Sequence, residues 1–451
     1  MATWQCPQEW SEWGEWLGAG LHGRCRWRLP ILLLGILFAK GRRTAASRAP
    51  SAGWSRAAGV TAGWSDYYYF ISSVGRKAKS VATRLLVLLL RQLSSGPRVL
   101  LALDDTPTKR YGPKVQGAGI HHNPTPGPAD AKFLFGHIWV TLAWAVRHPL
   151  WGTIGLPLLA MLYVRQKHIA HLPKRLGWEF QTKLQQGVQL VVWAFQIVVA
   201  VGKRLWVVAD GAYAKRPFLK PLRALGVVVV SRLRKDAALC SLPPKLKKGQ
   251  RRPRGRPPTY GKKRLSLAKR AAAKRGWQTI ECVQYGKAVT KKYKTFLATY
   301  HPACGLIRVV IVQEPGGCEF FFSTDPEASV QEILETFADR AAIEQDFHDL
   351  KEVWGAGQQQ LRSLWANIGA YHLNLWMHTL VELWAWNKSK ATTCDRSDSP
   401  WDDADRRPSH ADRRKALQRA ILQLEYSASA RCRRATRKIA IFAWQLVKLA
   451  V

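Results

Sequence analysis

Residues 336–355 read TFADRAAIEQDFHDLKEVWG. Apolar and charged positions alternate at helical spacing, no Pro or Gly interrupts the run before Gly355, and the stretch is expected to form one helix. At about 100° per residue, Phe337, Arg340, Glu344 and Lys351 fall within an arc of roughly 60°. One face then carries an aromatic ring, a guanidinium, a carboxylate and an ammonium. A solvated face with an Arg340–Glu344 pair at i,i+4 produces the same pattern, so the helix must be read together with acids elsewhere in the chain.

Such acids end two apolar runs upstream. The apolar run 98–103 (RVLLAL) ends in Asp104, Asp105 and Thr106, and the run 204–209 (RLWVVA) ends in Asp210 and Gly211. Buried strands ending in acids place carboxylates at one rim of an α/β sheet, where ligand sites gather. Hard divalent cations take oxygen ligands, and two of them ~3.5–4 Å apart can serve both the attacking and the leaving oxygen of a phosphoryl transfer. The competing reading is that each Asp caps the turn or helix after it.

The chain has 451 residues, 47% of them hydrophobic, with a formal net charge of +40. That is long enough for two or three domains. The charge points to a polyanionic partner, nucleic acid ahead of an anionic membrane. The eight cysteines are scattered, with no CxxC pair or zinc spacing, and read as reduced thiols in a cytoplasmic protein. The apolar run 29–38 is too short to span a bilayer. It follows Arg24, Arg26 and Arg28 but precedes no small-residue cleavage site, so neither a leader nor a membrane span is expected.

The three acids gain meaning from their order. Phe337-x2-Arg340-x3-Glu344-x6-Lys351 resembles the Y-x2-R-x3-E-x6-K signature of insertion-sequence DDE transposases, in the group with a β-rich insertion before the Glu. Residues 101–106 (LALDDT) look like that group's first-Asp strand, and 207–213 (VVADGAY) like its second. The likeness covers residues 98–386. Phe337 departs from the pattern, so a hydroxyl at that position is absent.

The resemblance implies an RNase H-like catalytic core holding two Mg²⁺ ions, with Mn²⁺ as a substitute. Its ligands would be Asp105, Asp210 and Glu344, with Asp104 as the alternative to Asp105. The adjacency of Asp and Thr matches the family strand best through Asp105. Arg340 and Lys351 would bind phosphates near the transposon end. The implied partners are double-stranded DNA with terminal inverted repeats, target DNA, and a second copy of the chain, since two DNA ends must be held together in a bacterial cytoplasm.

The expected fold is α/β, a mixed sheet flanked by helices. Residues 1–95 form an N-terminal helical region, read either as a DNA-binding domain of helix-turn-helix type or as helices packed on the core. Within it, residues 1–20 are a loosely ordered lead-in. Residues 96–231 are the first part of the core, 232–318 a basic β-rich insertion, and 319–387 the second part with the Glu344 helix. Residues 388–451 are a linker and a basic helical tail. In the insertion, Arg254 and Arg256 belong to Pro-Arg-Gly-Arg-Pro, which suits an A·T minor groove or a generic phosphate contact. Trp277 suits either base stacking or the insertion's own core. His121 and His122 read as solvent-facing loop residues. The rival functions are an RNase H-like nuclease or resolvase, and an inactive DNA-binding remnant.

Overall fold

The computed structural model describes residues 4–40, 53–60, 62–93, 96–123, 131–244, 255, 257–396, 401–403 and 405–430. Among these, α1 (Gln8–Gly18), α2 (Arg28–Phe38), α3 (Trp54–Ala57), α4 (Trp64–Arg76) and α5 (Ala78–Leu93) come first. Next are β1 (Arg98–Lys109), β2 (Gly119–His122), β3 (Phe133–His148), β4 (Gly152–Tyr163), α6 (Gln166–Ile169), α7 (Lys183–Ala200), β5 (Arg204–Ala209), α8 (Arg216–Ala224) and β6 (Val228–Arg232). The region expected as an insertion supplies β7 (Leu239–Cys240), β8 (Arg264–Leu265), α9 (Leu267–Ala272), β9 (Gln278–Gln284), β10 (Lys287–Tyr300) and β11 (Gly305–Glu314), and β12 (Gly317–Ser323) spans its end and the start of the second part of the core. Then come α10 (Val330–Asp339), α11 (Ala341–Glu352), α12 (Leu364–Ala385), α13 (Lys390–Thr393) and α14 (His410–Ala430).

The sheet runs β2-β3-β1-β5-β6-β12-β11-β10-β7-β8, with β4 paired to β3 and β9 to β10. Its heart is β4-β3-β1-β5-β6. There β3 is antiparallel to both β4 and β1, while β1, β5 and β6 are parallel. This is the mixed sheet of an RNase H-like fold. Residues 99–103 of β1 are buried throughout, as a parallel strand covered on both faces must be, which explains its continuous apolar run. The sheet does not end at β6. Ser323 of β12 lies opposite Val230 in an antiparallel pair, so β12, β11 and β10 extend the catalytic sheet laterally.

Helix α12, buried along nearly its whole length, lies on β4. Pro157 cannot donate a ladder hydrogen bond, and the β3–β4 register shifts between Leu142 and Ala143, where Ala143 pairs with Pro157. The helix takes up the groups released there. Thr379 Oγ1 donates to the Pro157 carbonyl at 2.6 Å and Trp376 Nε1 to the Leu158 carbonyl at 3.0 Å, and the Ala160 N–H donates to His372 Nε2 at 3.1 Å. Helices α4 and α5 pack behind α12, so the N-terminal helices share the catalytic core.

Several expectations are corrected. Residues 1–20 are not a loose lead-in among the described residues: α1 buries Trp10, Trp13 and Leu17 on one face. The run 336–355 is not one helix, because α10 starts earlier, at Val330, and the helix is interrupted at Arg340 before α11. His121 is not solvent-facing: it is buried on β2, and burial beside Arg165 and Lys183 lowers its pKa to about 4. The start of the expected basic tail is core. Arg414 donates to the Leu37 and Ala39 carbonyls at the end of α2 at 2.8 and 3.0 Å, satisfying groups a helix C-terminus leaves open. The described parts of 388–408 are anchored too: Arg396 and Arg406 both bind Asp402, and Arg407 donates to the Trp151 carbonyl at 2.8 Å. Residues 431–451 lie outside the described residues. No described helix is long and apolar enough to cross a membrane.

Candidate active site

Strands β1 and β5 run parallel in register from Arg98 opposite Arg204 to Leu103 opposite Ala209. The next residues on the two strands are Asp104 and Asp210. Registered residues of neighbouring parallel strands point to the same face ~4.8 Å apart, so these two carboxylates leave the sheet rim side by side. Asp210 opens the short 3-10 turn Gly211–Tyr213, yet its side chain makes no capping hydrogen bond. The capping explanation therefore fails for Asp210.

Helix α11 adds the third acid. Arg340 Nη1 donates to Asp104 Oδ2 at 2.8 Å, and Arg340 Nη2 donates to Glu344 Oε1 at 2.6 Å. A single guanidinium thus ties Asp104 and Glu344, 240 residues apart in sequence, into one cluster. The interruption of the helix at Arg340 sits at this junction. The Arg340 guanidinium rests 5.5 Å from the ring of Phe337, which packs on Phe321 at 4.8 Å. Phe337 therefore serves as an apolar support, a job that needs no hydroxyl.

Asp105 faces the other way, as consecutive strand residues must. Lys183 Nζ donates to Asp105 Oδ2 at 2.6 Å and the Tyr213 hydroxyl to Oδ1 at 3.3 Å. Burial, together with Asp105, Asp104 and Asp210, holds the Tyr213 hydroxyl well above its usual pKa, so it stays a donor. Asp104 is the perturbed acid. Burial pushes it up to about 6; Arg340 and the Asp105 N–H oppose the rise, while Asp105 and Asp210 add to it. Asp104 and Asp210 are therefore oxygen donors close enough to repel one another, with the Arg340 guanidinium compensating Asp104.

The chain matches the family described as DDE superfamily endonuclease over residues 17–291. The chain belongs to this family. No curated protein matches it. The match takes in helices α2–α5 and both strand-end acids of the endonuclease, and stops before α11. The place of Glu344 in the endonuclease therefore rests on the Arg340 bridge. Lys351 lies two helical turns beyond Glu344, about 10 Å along the axis. It is half-buried, and burial lowers its pKa, with Lys109 at the end of β1 adding to the effect. Trp277 is half-buried beside β10, its indole N–H donating to the Ala273 carbonyl at 3.2 Å, with Lys294 Nζ 4.5 Å from its ring. Arg254 and Arg256 lie outside the described residues.

Sequence reading missed Lys183. A signal existed: Thr182 and Gln185 form a capping box, which fixes Lys183 in the first turn of α7, directly above β1. The resemblance implied DNA phosphates as partners of Arg340; its guanidinium binds Glu344 and also Asp104, the latter a pairing the sequence did not show.

Proposed function

We propose that this endonuclease is the transposase of an insertion sequence, cutting and joining DNA ends by phosphoryl transfer. Its divalent ions, Mg²⁺ with Mn²⁺ as a substitute, are held by Asp104, Asp210 and Glu344. The observation that supports the reading is that Asp104 and Asp210 follow the last β1–β5 pair side by side while Arg340 bridges Asp104 to Glu344 on α11. When bound, two such ions supply Lewis-acid stabilisation to the attacking and leaving oxygens.

The chain's own groups do the rest. Tyr213 and Lys183 fix Asp105, which in turn keeps the end of β1 straight beside β5. Arg340 presents a planar fork at the rim, suited to a phosphate as well as to carboxylates. Lys351 and Lys109 add point charge further along the same side. The net charge of +40 supports long duplex contacts. The substrates are double-stranded DNA with terminal inverted repeats and a target DNA, and two copies of the chain hold the two ends.

The test is a plasmid carrying the cognate terminal repeats, incubated with the full chain. Cleavage at the repeat ends and joined products should form with Mg²⁺ or Mn²⁺ and vanish with a chelator. Cutting that ignores the repeats and yields no joined product would instead support the nuclease reading. Cutting that survives chelation would remove the metal assignment.

A further inference from the structure

On the far side of α11 lies a second cluster that the proposed reaction does not use. Asp346 and Asp349 stand two and five residues beyond Glu344, roughly 140–160° around the helix from it. Asp349, His378 on α12 and His410 at the start of α14 are all buried, and each offers a ligand atom within 4.8 Å of the others. The imidazoles stack, with ring centroids 3.9 Å apart. They border a cavity of about 780 Å³ that Asp349 and Glu382 also line.

Each histidine has one nitrogen engaged by a carboxylate. His378 Nε2 lies 3.3 Å from Asp346 Oδ1, and His410 Nδ1 lies 2.6 Å from Glu382 Oε1. Glu382 is itself held by Arg413. A carboxylate behind each imidazole fixes ring and tautomer so that the other nitrogen faces a metal. In His378 that other nitrogen, Nδ1, is fully buried and has no partner. A buried polar atom left without a bond is costly and calls for an explanation. In His410 the other nitrogen, Nε2, accepts the Trp354 indole N–H at 2.8 Å.

We propose that Asp349, His378 and His410 bind one transition-metal dication of the zinc type, with a fourth position open to the cavity. Two imidazoles and a carboxylate select zinc over magnesium, which prefers oxygen ligands alone. Zinc bonds of ~2.0–2.1 Å place tetrahedral ligand atoms about 3.4 Å apart, so on binding the stacked rings turn out of parallel to aim their nitrogens at the ion, the three side chains close inward and the Trp354 N–H gives way. The ion ties α11, α12 and α14 together, which fastens the C-terminal segment to the helix that carries Glu344.

The probe is Co²⁺, titrated into the full chain carrying Glu344→Gln so that the catalytic acids do not compete. One equivalent should develop the visible bands of tetrahedral Co²⁺, and one equivalent of Zn²⁺ should erase them. Asp349→Asn and His378→Gln should each weaken binding at least tenfold, with folding checked by circular dichroism. Trp354→Phe keeps every ligand and removes the competing N–H, so it should bind Co²⁺ more tightly than its parent. Absence of the bands in the Glu344→Gln chain overturns the site. So does an unchanged titration in either ligand variant; if His378→Gln does not fold, Asp349→Asn decides alone.

Discussion

Asp104→Asn is expected to abolish DNA cleavage, while Asp105→Asn slows it by no more than roughly 100-fold. The two acids are neighbours, but only Asp104 follows the last β1–β5 pair and stands beside Asp210, and only Asp104 shares Arg340 with Glu344. On the proposed metal assignment, an amide there removes a charged oxygen donor from the ions and the phosphate they hold. A loss of at least ~10³-fold in rate, about 4 kcal/mol of barrier, follows, and Glu344→Gln belongs to the same class. Asn at position 105 can still accept from Lys183 through its one carbonyl oxygen, and its amide N–H can donate to the Tyr213 hydroxyl oxygen. Its effect should therefore stay within the roughly 10–100-fold typical of groups that only orient metal ligands. Single-turnover plasmid cleavage in Mg²⁺ measures all three. The reverse order, with Asp105→Asn inactive and Asp104→Asn active, would place the metals on the α7 side and require Lys183 to leave.

This pair also marks how far the sequence can be read. The apolar runs ending at Asp104–Asp105 and Asp210 became β1 and β5, and the strand and helix order of the core followed from their punctuation. The side of the strand was not legible. It depends on where β5 stops relative to β1, and that register is set by packing across the sheet. Asp-Thr adjacency favoured Asp105, while the ladder puts Asp104 beside Asp210. The bridge from Arg340 to Asp104 was hidden for a similar reason: an i,i+4 pair is visible in one dimension, a partner 236 residues away is not. Helix α1 was obscured by composition. Trp10, Trp13 and Leu17 sit at i, i+3 and i+7, but the Gly, Glu and other Trp residues between them mask the period. The start of α14 misled through its charge, because Arg413 and Arg414 look solvated until Glu382 and the α2 carbonyls are seen to receive them.

The largest structural effect is expected at the crossing of α4 and α12. A Cβ on Gly369 would lie 1.9 Å from the Ile71 carbonyl oxygen and 2.9 Å from the Gly75 nitrogen, and one on Gly75 would lie 2.0 Å from the Trp365 carbonyl oxygen. The obstacles are backbone atoms, so no side chain can rotate away and the helices must separate. Separation opens a core that includes Phe70, Ile71, Leu373 and Trp376. Gly369→Val should therefore cost roughly 3 kcal/mol or more, a large share of the ~5–15 kcal/mol that holds a typical domain. Gly23→Ala, where nothing lies within 4 Å of the added carbon, is the neutral control. Soluble yield and thermal unfolding followed by circular dichroism read both. The same contact bears on the N-terminal helices. As part of the catalytic core, a chain lacking residues 1–93 should lose soluble yield as badly as Gly369→Val does. A well-folded truncated core with a native Tm would instead make residues 1–93 a separable domain, free to act as an independent DNA-binding module.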